Sequence, residues 1–247
     1  MKINQKGLLI FLICFYCLKG KAQETETYND AWFFLLNNFQ INEKWSAGSE
    51  IHWRNTNFLA DKQQLILRPF LTFTQNENFN YTMGYSYLRS YPYTETAIPA
   101  PKPEHNIWEQ VVINQNHKKL SFSHRFRLEH RFQGDLLQTS AGDYEVDGFS
   151  FSNRFRYRFT IQRPITEKLF IHVFDELWIN MADDFQNPDY DRNWFYAGLG
   201  YKIFDNGNVQ LGYIHQNIKK SEQLFESHPT LVTTFIYNFD FTRGEDM

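Results

Sequence analysis

Apolar and polar residues alternate with a period of two along most of this chain. In SFSHRFRLEHRF (121–132), Phe122, His124, Phe126, Leu128, His130 and Phe132 share one face, and Ser121, Ser123, Arg125, Arg127, Glu129 and Arg131 share the other. FSFSNRFRYRFTI (149–161) repeats the pattern: Phe149, Phe151, Phe155, Tyr157, Phe159 and Ile161 oppose Ser150, Ser152, Arg154, Arg156, Arg158 and Thr160. Successive side chains of a strand point to opposite faces, so each segment predicts a strand with one aromatic and one arginine-rich face. Eleven such segments lie near 31–40, 44–55, 63–74, 79–91, 105–116, 119–132, 148–162, 168–180, 192–203, 207–217 and 228–241. Most are long enough to cross a bilayer as tilted strands.

The connections between them alternate in length. INEK (41–44), QNEN (75–78), NHKK (116–119), ITEK (165–168) and DNGN (205–208) are short, the last carrying an Asn-Gly hairpin signal. The segments 56–62, 91–106, 133–148, 181–191 and 218–227 are long. Short turns at one end and long loops at the other predict a single all-β domain: a transmembrane antiparallel β-barrel of about 10–12 strands, with periplasmic turns and external loops. Bacterial barrels of this kind usually have even strand numbers, so eleven segments leave two options. Either residues 24–30 add a twelfth strand, or one segment lies outside the wall. A soluble sandwich or lipocalin-like barrel, aromatic face inward, satisfies the same alternation.

Composition favours the membrane form. Mean hydropathy is −0.54 although 18% of residues are aromatic, as expected of a barrel that is polar on average and aromatic by face. Residues 1–22 read as an export signal, with Lys2 and Lys6, an apolar run over 8–18, and Gly20 and Ala22 before Gln23; residues 23–247 then form the barrel. Cys14 and Cys17 both lie in that run, so the exported part would have neither disulfide nor thiolate. Bulky Ile13 and Tyr16 precede them, where lipidation needs a small residue. Signal removal takes four lysines and no acid, leaving 21 basic against 28 acidic residues, a balance opposed to nucleic acid as a partner. The expected location is the outer membrane of a Gram-negative cell. The expected partners are its lipid and lipopolysaccharide, and the barrel-assembly machinery. The last would read the face Leu231, Thr233, Phe235, Tyr237, Phe239 and Phe241 of the final strand, although residues 242–247 follow it.

INEKW (41–45), QLILRP (64–69), GYSYLRSYPY (84–93), EHNIWEQ (104–110), SHRFRLEHRF (123–132), NRFRYRF (153–159), FDELWIN (174–180) and YAGLGYKI (196–203) together resemble a domain-of-unknown-function family of bacteroidete outer-membrane barrels. The resemblance implies an exported barrel and brings no activity with it.

The main candidate for chemistry is a lumenal charge ladder. With the aromatic face toward lipid, Arg125, Arg127, Arg131, Arg154, Arg156 and Arg158 project inward from neighbouring strands, where like charges repel unless compensated. Glu129 shares the ladder. Pairing across ITEK sets Asp175 opposite Arg158 in one register and Glu176 there in the next. Glu50, His52 and Arg54 form a smaller row. Such a ladder either lines an anion-attracting pore or braces a narrow lumen. A third option is a closed barrel acting through its loops on a partner or on lipopolysaccharide.

An enzyme is not expected. A lipid-hydrolysing barrel needs serine and histidine within reach, but Ser123 and His124 point to opposite faces, and the NHKK turn is expected to set Val111 opposite His124. His124 and His130 instead suit an interfacial belt. Asp183, Asp184, Asp189 and Asp191 lack a calcium-loop spacing, Pro188 interrupts them, and no metal or cofactor is expected. Pro92, Pro99, Pro101 and Pro103 stiffen 91–106 as a candidate lumen constriction or partner surface. The six tryptophans suit interfacial belts or lumen packing.

Overall fold

The computed structural model describes residues 24–93, 98–183 and 185–242. Residues 1–22, read above as an export signal, and Asp184 therefore lie outside the described residues. The strands are β1 (Glu24–Thr27), β2 (Asp30–Gln40), β3 (Trp45–Thr56), β4 (Asp61–Thr74), β5 (Phe79–Ser90), β6 (Lys102–His117), β7 (Leu120–Gln138), β8 (Tyr144–Pro164), β9 (Leu169–Met181), β10 (Asp189–Phe204), β11 (Gly207–Lys219) and β12 (Leu224–Asp240). From β2 to β12 every strand pairs antiparallel with its sequence neighbour. The sheet then closes on itself through β12 and β2, which run parallel from Thr230↔Asp30 to Asp240↔Gln40.

Parallel closure follows from the odd count. In an up-and-down meander of eleven strands, the first and last run the same way and must meet parallel. All eleven alternating segments are thus in the wall. Residues 24–27 are also a strand, but they add no twelfth stave. They pair with β12 from Glu24↔Leu224 to Thr27↔Ser227, the offset that β2 continues after a break at Tyr28 and Asn29.

Three of the five short turns share a local device. Asn42 Oδ1 accepts from the amides of Lys44 and Trp45 at 2.9 Å, and Asn76 Oδ1 from those of Asn78 and Phe79 at 2.9 and 3.0 Å. Thr166 Oγ1 does the same for Lys168 and Leu169, at 3.3 and 2.9 Å. A short polar side chain here caps amides that the reversing chain leaves unpaired. In DNGN the loop is Asp205 and Asn206, while Gly207 already pairs with Phe204.

The two faces separate as the alternation requires. Leu35, Ile51, Leu71, Met83, Ile107, Leu199 and Leu211 point outward, with Met83 65% exposed, whereas Trp32, Trp108, Trp178 and Trp194 point inward and are at most 4% exposed. Trp45 and Trp53 are on the outside. So broad an apolar exterior around a charged interior is the arrangement of a transmembrane β-barrel. β7 and β8 outrun their neighbours: β6 leaves β7 at Gln133 and β9 leaves β8 at Asn153, and beyond these the hairpin pairs only with itself.

Candidate functional site in the barrel lumen

The β7–β8 register sets Arg125 opposite Arg158, Arg127 opposite Arg156 and Glu129 opposite Arg154. Two guanidinium pairs thus face each other across the ladder, and two buried carboxylates resolve the repulsion. Glu129 Oε2 accepts from Arg154 Nε at 2.8 Å and Nη2 at 2.5 Å, while its Oε1 accepts from Arg156 Nη1 at 2.6 Å. Glu176 accepts from Arg156 Nε and Arg158 Nε, both at 2.8 Å, and from Arg125. Arg131 makes a bidentate pair with Glu104 at 2.8 and 2.9 Å. Arg127 reaches Glu129 only at 3.9 Å, and its Nε and Nη2 donate to Gln110 at 3.0 and 2.7 Å. Guanidinium planes also lie over rings: Arg156 is 3.5 Å from the Trp178 centroid, Arg158 3.9 Å from Phe174 and Arg127 4.0 Å from Trp108. Stacking leaves the edge donors of a guanidinium available while its face is covered.

Asp175 is a correction to the expected ladder. Arg158 pairs with Glu176, so Asp175 falls opposite Phe159 on the outer face, where Asn193 Nδ2 donates to it at 3.0 Å. A shift of one residue turns a strand over, and only one of two adjacent acids can face inward. The turn at 118–119 also differs from expectation: Ile113, not Val111, lies opposite His124. His124 Nδ1 is 2.8 Å from the Tyr157 hydroxyl; His130 contacts Asn153 at 2.8 Å and Glu109 at 3.3 Å.

Several residues enter the lumen that the sequence did not place there, Arg68, Asp191 and Arg192 among them. Arg68 donates to Glu50 at 2.5 Å and to Ser86 at 2.8 Å. Arg192 and Asp191 both turn inward because a bulge between Tyr190 and Arg192 interrupts the alternation. Asp191 reaches Arg192 at 3.1 Å and Arg154 at 3.4 Å, while Asp189 of the same acidic loop pairs with Lys219 at 2.8 Å. At the long-loop end of the seam, His228 sits between Asp30 (2.9 Å) and Glu226 (3.1 Å), all three side chains fully buried. Tyr93, from the proline-rich loop, donates to Glu226 at 3.1 Å. Burial, with Glu226 alongside, pushes its phenol far above the usual range. Only residue parity could have flagged this cluster, because its members are 198 positions apart.

Nine arginines face this interior: Arg54, Arg68, Arg125, Arg127, Arg131, Arg154, Arg156, Arg158 and Arg192. Among the described residues, the carboxylates paired with them are five: Glu50, Glu104, Glu129, Glu176 and Asp191. A cavity of about 470 Å³ remains in the lumen, lined by residues of every strand from β2 to β12, the ladder arginines of β7 and β8 among them, and reached by Tyr93 and Ile98 of the proline-rich loop.

A closed barrel, apolar outside and polar within, defines the class: a transmembrane β-barrel. The chain belongs to the family described as Protein of unknown function (DUF2490), whose model matches residues 29–224. No curated protein matches it. Among solved structures, the chain is similar to one described as "NanC porin structure in rhombohedral crystal form", at 12% identity and TM-score 0.45, over 76% of this chain and 81% of that one. It is also similar to the translocator domain of autotransporter NalP from Neisseria meningitidis, at 10% identity and TM-score 0.42, over 75% and 71%.

Proposed function

We propose that this protein is an outer-membrane barrel acting as a narrow pore or transport-related channel for small anionic solutes, its short turns in the periplasm and its long loops outside. The observation that carries this reading is the excess of nine lumenal arginines over the five carboxylates paired with them beside a cavity, Asp30 and Glu226 being engaged instead with His228. Uncompensated positive charge in a low-dielectric enclosure raises the local concentration of anions and repels cations. Contacts with outer-membrane lipid and lipopolysaccharide, and recognition of β12 by the assembly machinery, belong to the same proposal. Planar-bilayer recording of the refolded protein under a salt gradient tests it. Discrete steps with an anion-selective reversal potential are expected; silence from a demonstrably inserted barrel refutes the pore.

A second reading has its own support. Glu129 and Glu176 bind most of the ladder tightly, which fits a brace, and the β7–β8 hairpin projects past its neighbours. A closed barrel working through that hairpin predicts no conductance, together with a phenotype from deleting 136–147.

A further inference from the structure

One wall of the cavity has hydrogen-bond donors without acceptors. Trp178 Nε1, Trp194 Nε1, Arg54 Nε and Arg192 Nε are buried and have no partner in the barrel, and the Tyr196 hydroxyl beside them has none either. The remaining polar atoms of this kind on the cavity are Arg125 Nε, another donor, and Glu226 Oε1, at the rim, which faces Lys220 Nζ at 3.1 Å. Buried donors left unmade are costly, so a wall whose unmet groups are N–H donors, with one hydroxyl that can also donate, is complementary to a ligand offering only acceptors.

Arg54 gives the wall its charge. It is 7% exposed and, among the described residues, has no carboxylate within ion-pair distance. Nη1 donates to Gln64 at 2.9 Å, and Nη2 lies 3.4 Å from His52 Nδ1. An arginine only donates, so His52 accepts through Nδ1 and gives its Nε2 proton to Glu50 at 3.1 Å. Glu50 is already engaged by Arg68 and does not reach Arg54. The Arg54 guanidinium lies 4.1 Å from the Trp32 centroid and 5.3 Å from that of Trp194, and Trp194 is 4.7 Å from Trp178. A charged donor edge and two indole N–H groups thus form one contiguous patch. Ile66, Leu88, Ile214 and Val232 line the same cavity with apolar surface.

We infer that this patch is a binding site for a small organic carboxylate, the oxyanion received by Arg54, Trp178 and Trp194 and the short hydrocarbon tail by the aliphatic wall. It rests on the reading of the lumen as an anion path and adds a discrete, saturable station to it. The cavity is of the size that small-ligand sites occupy.

Calorimetric titration of the refolded barrel in detergent, with sodium butyrate and inorganic phosphate as probes at constant ionic strength, tests the site. Saturable butyrate binding, tighter than phosphate, is expected. Arg54→Gln and Trp194→Phe should each weaken it by about tenfold, the loss of one charge-assisted or buried hydrogen bond. Arg89→Gln, on the outer surface, should leave it unchanged. Trp194→Phe keeps the ring and removes only the N–H, so it remains informative if Arg54→Gln fails to fold. Heat equal to that of salt dilution overturns the site as a merely hydrated lumen. Butyrate binding indifferent to both substitutions, or phosphate bound at least as tightly, overturns it too. Bilayer conductance without butyrate binding removes the site and leaves the pore. Binding without conductance supports the site and ends the pore.

Discussion

Gly198 and Gly212 face each other across β10 and β11, and the ring of Tyr196 lies over both. A Cβ at Gly212 would stand 2.3 Å from Tyr196 Cε2, closer than packed carbons allow. Tyr196 is stacked on Phe174 with centroids 4.8 Å apart and has little room to yield. Gly212→Ala should therefore destabilise the barrel by about 1–3 kcal/mol. The urea midpoint of the heat-modifiable gel shift should fall, and Tyr196→Leu in the same chain should restore part of it. At this scale the sequence was partly legible. Parity put Glu50, His52 and Arg54 on one row, but gave no sign that Arg68 would claim Glu50 and leave Arg54 without a carboxylate.

Strand pairing decides which charges survive burial. Glu129 is 1% exposed and holds Arg154 and Arg156, so Glu129→Gln leaves two enclosed guanidinium groups short of charge compensation. Removing one partner of a buried pair costs about 3–5 kcal/mol. Asp175→Asn, one position from Glu176 but on the outer face, should change stability by less than about 0.5 kcal/mol. Glu176→Gln should cost as much as Glu129→Gln, because Glu176 holds Arg125, Arg156 and Arg158. Denaturant titration of Glu176→Gln beside Asp175→Asn reads the β8–β9 register; equal losses would contradict it. Both acids were visible in FDELWIN. Which of them entered the ladder was not, because a turn can set either register and each turns a different side chain inward. Asp191 was hidden for a related reason, since a bulge turns it and its neighbour Arg192 the same way.

Closure belongs to the whole molecule. Eleven strands force β2 and β12 to meet parallel, with Phe33 beside Thr233. Residues 23–247 contain no cysteine, since Cys14 and Cys17 both precede them. Phe33→Cys with Thr233→Cys should accordingly form an intramolecular disulfide on mild oxidation, seen as a faster-migrating, reducible band; Phe33→Cys with Lys119→Cys, far from the seam, should not. The electrostatic reading is also a whole-lumen property. The Debye length falls from about 10 Å at 0.1 M salt to about 3 Å at 1 M. Any anion preference set by the net arginine excess should shrink over that range, as the reversal potential under a fixed concentration ratio will show.

Alternation alone determined that this chain makes about eleven strands, that one face of each is aromatic and the other polar, and that the short turns lie at one end. Those properties depend on the period of side-chain direction and on local turn chemistry, which neighbouring residues carry by themselves. Tertiary structure decided the parallel seam, the inward choice of Glu176 over Asp175, the cluster joining Asp30, His228 and Tyr93's partner Glu226, and the patch of donors around Arg54. Each of these depends on which strand lies beside which and in what register. Closing a sheet into a barrel sets that globally, through strand number and stagger together.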